Sequence, residues 1–188
     1  MTTARFRPGL WAALVTLLGA LGAVQAQPVL APQELQSTLP LATLAGDSRF
    51  KVWGVGIYDA KLWVAPGFKA DEYERHAFAL EITYLRDFSN AALAKRSVEE
   101  MQRQPDFPKA QLASWEHALR SAFPDVHKGD RLTAIYRPDR STIFFTNGRE
   151  TGVITDAGFG PLFFGIWLST HSSEPRLREA LLAGAQPK

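Results

Sequence analysis

The side chains best suited to proton transfer or metal binding near neutral pH are four histidines, His76, His117, His127 and His171. None stands four residues from another and none lies in an HExxH pattern. A zinc site would have to be gathered by the tertiary fold, and surface or capped histidines are the simpler reading. Cysteine is absent. That removes thiol nucleophiles, disulfides, iron–sulfur ligation, Cys-based zinc and a lipoprotein anchor. The chain has no GxSxG elbow, no Walker A loop and no complete GxGxxG. Gly158-Phe159-Gly160 is a fragment of the last pattern. It runs into a phenylalanine-rich segment, which suits close packing at a helix start. Glu99 and Glu100 are adjacent on a helix and do not share a face. They read as an exposed charged turn and make a poor acid–base pair. No metal and no cofactor is implied.

The elements that must position any site come from one core. The chain has 188 residues, 46% of them hydrophobic and 11% aromatic, which argues against disorder and fibrous repeats. Residues 1–26 read as a secretory signal. Arg5 and Arg7 form the positive start, Leu10 to Val24 the apolar stretch, and Val24-Gln25-Ala26 the small-residue cut site before Gln27. An uncleaved anchor is the alternative, but the stretch is short for a span of ~20 residues. Cleavage lowers Lys+Arg from 21 to 19 against 19 acids. The mature chain is then neutral, without the basic face that nucleic acid requires or a polybasic run for a membrane. Periplasmic export without stable membrane insertion follows as the expectation.

Residues 27–41 hold three prolines and read as an irregular lead-in, and residues 42–185 as one domain. Residues 49–64 read as one extended strand, bent or bulged at Gly54 or Gly56 and stopped by Pro66-Gly67. Residues 77–86 alternate, with Phe78, Leu80, Ile82 and Tyr84 on one side. Ser89 is the N-cap of a helix over 90–104, which Pro105 and Pro108 break. A second helix covers 109–123. Strands follow near 130–137, 141–147 and 149–154, with Asn147-Gly148 as a hairpin turn. Asp156 is placed to cap an all-apolar, buried helix over 159–168. A last helix follows Pro175. Strands, two helices, strands, two helices is an α+β order, with helices covering an antiparallel sheet.

Several pieces in order carry a resemblance. They are Gly46-Asp47-Ser48-Arg49-Phe50, Gly56-Ile57-Tyr58-Asp59-Ala60-Lys61-Leu62-Trp63, and Phe78 through Arg86. Phe123-Pro124-Asp125-Val126 with Gly129-Asp130, Phe163 through Leu168, and Leu177 through Leu182 complete them. Together, over residues 42–184, they resemble bacterial exported chalcone isomerase-like proteins. The resemblance implies an open-faced β-sandwich, a large antiparallel sheet layered with helices, and a ligand cleft between the two. Plant enzymes of that superfamily close a flavanone ring. Other members bind fatty acids, with an arginine and a tyrosine at the carboxylate.

Carried onto this chain, the resemblance points to Arg49 as the ligand arginine and Tyr58 as the hydroxyl partner, with Trp53, Tyr84 and Arg86 as neighbours. A guanidinium in an apolar cleft grips a carboxylate through two hydrogen bonds. Arg49 and Tyr58 are nine residues apart, so strict alternation puts them on opposite faces, and a bulge would bring them together. Arg49 has a surface alternative, an ion pair with Asp47 or Asp59. The plant enzymes also use a tyrosine and an asparagine around their first helix. Residues 90–104 hold no tyrosine, and their one asparagine is Asn90 at the helix start, which counts against chalcone cyclisation. The leading expectation is therefore binding of a small apolar carboxylate or phenolic ligand. An intramolecular lyase or isomerase, and an envelope interaction protein docking through 159–168, are the alternatives.

Overall fold

Period-two alternation over residues 43–154 produces six strands, and the breaks in it place the helices. The structure, a computed structural model, describes residues 29–105, 107–138 and 141–185. The segment read as an export signal lies outside these. The strands are β1 (Thr43–Val52), β2 (Val55–Val64), β3 (Phe78–Tyr84), β4 (Arg131–Arg137), β5 (Ser141–Thr146) and β6 (Arg149–Ile154). They pair antiparallel in sequence order, β1-β2-β3-β4-β5-β6. The helices are α1 (Gln33–Thr38), α2 (Asn90–Met101), α3 (Leu112–Ala122), α4 (Phe159–Leu168) and α5 (Pro175–Leu181).

Alternation sorts the sheet into two faces. Leu62, Phe78, Leu80 and Phe144 pack with α2–α5 in the larger core, where α4 supplies Phe159, Phe163 and Phe164. All seven side chains are almost wholly buried. Trp63, Ala79 and Ile135 point the other way and meet Leu35 of α1 and Leu39 just after it. The 159–168 segment therefore fills the core. Ser89 caps α2 as its sequence predicts, its side chain accepting from the Ala92 N–H at 3.2 Å. At α4, Asp156 accepts from Gly158 N–H at 2.9 Å and from Trp115 Nε1 at 2.8 Å. A Cβ on Gly160 would collide with the Tyr136 ring, which explains the glycine at this helix start.

Two expectations need correction. The lead-in holds a six-residue helix, α1, laid across the far face. Its Glu34 is buried there and accepts from Thr133 Oγ1 at 2.8 Å and Arg131 Nη2 at 3.1 Å. The partners of that carboxylate are nearly 100 residues away, so no local pattern announces the helix. The other correction concerns residues 49–64, which are a hairpin and not one strand. Val52 pairs with Val55, and Trp53-Gly54 forms the turn with φ of 49° and 81°. Asn147-Gly148 has φ of 51° and 81°. The two turns share a left-handed geometry that favours Asn-Gly. Tryptophan in that conformation costs about 1 kcal/mol. A Trp-Gly turn therefore carries a weak sequence signal, and the hairpin reads as continuous strand.

Candidate functional site

Tilting four helices over one sheet face leaves a gap where their side chains do not meet the β1–β3 end. The gap is a cavity of about 520 Å³, a size that takes a drug-sized or fatty-acyl molecule. Phe50, Tyr58, Ile82 and Tyr84 form the sheet wall, Leu93 comes from α2, and Phe163, Ile166 and Trp167 come from α4. Leu177 of α5 closes one side. Each strand residue in this wall points to the helix side because of its place in the alternation.

Polar groups are few and sit at the rim. Arg96, Ser97 and Glu100 come from α2, and Ser173 and Glu174 from the α4–α5 connection. Glu100 is buried. It accepts from Ser173 Oγ at 2.8 Å, and Arg103 Nε lies 3.2 Å from its Oε2. Arg96 Nη2 rests against Oε1, but the angle is poor and leaves that oxygen without a proper hydrogen bond. Two guanidinium groups thus share one buried carboxylate. Arg96 has an exposed side chain that lines the cavity; its Nη1 also lies 3.7 Å from Glu99 Oε2, and a guanidinium has five N–H donors, more than these two contacts use.

Deeper in, Trp167 Nε1 donates to the Tyr58 hydroxyl oxygen at 3.0 Å. The Tyr58 O–H proton is left to point elsewhere. Burial pushes the Tyr58 and Tyr84 hydroxyls well above the usual tyrosine range. Both are neutral phenols, able to donate a hydrogen bond and unable to act as phenolate bases near pH 7. Burial likewise raises Tyr73, and it pushes Tyr136 up to about 12. These four are all the tyrosines of the chain. A spectrophotometric titration of the native protein should therefore show little tyrosinate absorbance at about pH 10.5, where an ordinary tyrosine of pKa ~10 is mostly ionised. The unfolded chain ionises first, so stability is intact below pH ~10 and falls as pH rises above it. Tyrosinate appearing near pH 10 without unfolding would contradict this environment.

The chalcone isomerase-like family pattern matches residues 43–183, three-quarters of the sequence. The chain belongs to the chalcone isomerase-like family. Among solved structures, a fatty-acid binding protein of Arabidopsis thaliana superposes with a TM-score of 0.58 at 9% identity, covering 77% of this chain and 88% of that one. At that identity the likeness speaks to the fold alone. It agrees with the α+β, open-faced arrangement of sheet and helices. The sequence matches none of the curated proteins.

Within this chalcone isomerase-like domain the expected site residues separate. Tyr58 and Tyr84 pair across β2 and β3 and both line the cavity. Arg49 does not reach it. It faces Asp59 across the hairpin, with Nε–Oδ1 at 2.6 Å and Nη2–Oδ2 at 2.8 Å, on the opposite face from Tyr58. The pair is exposed, and the Arg49 hydrogen bond holds the Asp59 carboxyl below its usual range. The hairpin does contain a bulge, with Ile57 as the extra residue between the Phe50–Tyr58 and Lys51–Gly56 pairs. It lies on the turn side of the Phe50–Tyr58 pair, so Arg49, which pairs with Asp59, stays on the opposite face from Tyr58. Trp53 sits on the hairpin turn, 99% exposed. Arg86 lies in the exposed loop after β3.

The rim group was missed. Glu99 is exposed as expected, but Glu100 is buried. Its i,i+4 relation to Arg96 was the available signal. The decisive partner, Ser173, is 73 residues away.

Proposed function

We propose that this protein binds a small apolar carboxylate, a fatty or aromatic acid, in the cavity between sheet and helices. The observation that carries the reading is a 520 Å³ space walled by aromatic and aliphatic side chains, with few polar groups beyond the α2 and α4–α5 side chains and two phenols. The apolar part of the ligand lies against Phe50, Ile82 and Phe163. The carboxylate lies at the rim on Arg96, or turns inward to the Tyr58 and Tyr84 hydroxyls. The fatty-acid binding title of the Arabidopsis thaliana neighbour is in keeping with this. Residues 1–26 have the features of an export signal, so the site of action is taken as the periplasm. Of the two carboxylates that line the cavity, Glu100 and Glu174, the buried one, Glu100, is already held by Ser173, Arg103 and Arg96, which favours binding over turnover at that group. A base so engaged is poorly placed to take a proton from a ligand.

Two arginine substitutions discriminate the positions. Arg96→Ala should weaken fatty-acid binding about tenfold, because a hydrogen bond to a charged group contributes about 1.5–3 kcal/mol. Arg49→Ala should leave affinity unchanged within about twofold, since its partner is Asp59 and its face is the wrong one. Titration with a naturally fluorescent polyene fatty acid reads both. Native mass spectrometry of protein recovered from the periplasm without detergent reads the resident ligand and the position of the cut. Protein that is empty and takes up no such acid would end this reading.

A further inference from the structure

One feature beside the cavity is not explained by the binding site, the exposed tip of the β1–β2 hairpin. The β1–β2 turn carries Val52, Trp53 and Val55, all exposed, with Trp53 bare at 99%. It is the only tryptophan so placed among the described residues, since Trp63, Trp115 and Trp167 are buried. The turn holds Trp53 at φ of 49°, where asparagine would sit with less strain. A bulky side chain kept in an unfavourable conformation and given wholly to solvent calls for a partner outside the fold. Position says which. Val52 and Ile57, on either side of the turn, both line the cavity. The segment Lys51 to Tyr58 contains one lysine and no acid.

We propose that this hairpin tip docks the protein onto a lipid bilayer, with Trp53 in the headgroup layer and the cavity mouth brought against the membrane surface. Tryptophan is the residue favoured at that depth, being flat, largely apolar and able to donate one hydrogen bond. The flanking valines add apolar area, and Lys51 favours anionic lipid. The contact is peripheral: no described helix is long and apolar enough to cross a membrane. A soluble carrier of an apolar acid must take up its cargo from lipid. A tip continuous with the cavity wall shortens that path through water. Delivery to the cavity rests on the binding role proposed above; docking itself does not.

The test uses protein recovered from the periplasm and vesicles of phosphatidylethanolamine with phosphatidylglycerol. Wild-type tryptophan emission should shift to the blue on adding vesicles and be quenched by lipids brominated near the headgroup. Trp53→Ser should abolish both changes and lower vesicle affinity at least about tenfold. Trp53→Asn should do the same while raising the thermal midpoint, which separates docking from folding. Lys51→Glu should weaken docking to anionic vesicles. In vesicle-free solution the affinity of Trp53→Ser for the fluorescent fatty acid should equal that of wild type, while its uptake from loaded vesicles is slower. Absence of quenching in wild type, or equal quenching in Trp53→Ser, overturns the proposal. So does sedimentation showing Trp53-dependent dimers in the absence of lipid, which would give the tip to a second copy of the chain. Quenching without any fatty-acid binding upholds docking and removes the binding role.

Discussion

Leu93→Trp should abolish fatty-acid uptake while leaving the protein folded. Leu93 is half-buried on α2 and faces the cavity opposite the sheet wall. The larger indole would project into space that is open, so it need not displace core atoms. Its cost in helix propensity is a few tenths of a kcal/mol. The ligand meets the whole penalty. Each methylene kept out of an apolar site costs about 0.8 kcal/mol, so excluding about four costs about 3 kcal/mol and lowers affinity at least ~100-fold. Titration with the fluorescent acid measures the loss, and the thermal midpoint should stay within a few degrees of wild type. Undiminished affinity in a folded Leu93→Trp protein would place the ligand elsewhere.

Phe144→Ala should be the opposite kind of change, one that strikes the fold. Phe144 is wholly buried at the centre of β5. Its ring meets Phe123 at 5.2 Å, Phe163 at 5.5 Å and Phe159 at 6.3 Å, mostly edge to face. These rings come from the end of α3 and from α4, so Phe144 ties the helical layer to the sheet. Truncation removes the transferred area and leaves a hole that β5, α3 and α4 cannot close together, a loss of about 3–5 kcal/mol. Set against a typical domain stability of ~5–15 kcal/mol, that is a large fraction. Urea unfolding should show the midpoint fall with little change in slope. Ligand affinity measured on the remaining folded fraction should drop as well, because Phe163 lines the cavity from the same cluster. A loss under about 1 kcal/mol would mean that the aromatic cluster does not carry the junction.

How much of this was legible before the fold was seen depends on the range of each interaction. Phe78, Leu80, Ile82 and Tyr84 occupy one face of β3 because alternation is a local property, and they reach the core as the pattern says. The Ser89 cap, the Asn147-Gly148 turn and the buried all-apolar α4 are likewise properties of a few consecutive residues. Arg49 and Tyr58 do stand on opposite faces, but on the two strands of a hairpin, where Arg49 pairs with Asp59 and Phe50 with Tyr58. The bulge at Ile57 sits on the turn side of the Phe50–Tyr58 pair and does not bring Arg49 round to that face.

The sequence by itself determined the α+β order, the core face of strands such as β3, the family, and the absence of cysteine and of the common catalytic motifs. These follow from periodicity, capping and residue type, each of which acts over one or two turns of helix or a few strand positions. Only the tertiary structure decided that Arg49 is taken by Asp59, that Trp53 stands bare on a turn, and that Arg96, Glu100 and Ser173 meet at one rim. The cavity belongs to the same class. It is the volume left where four helices and a sheet fail to touch, and an unfilled space is set by the relative placement of whole elements, which no short stretch of chain encodes.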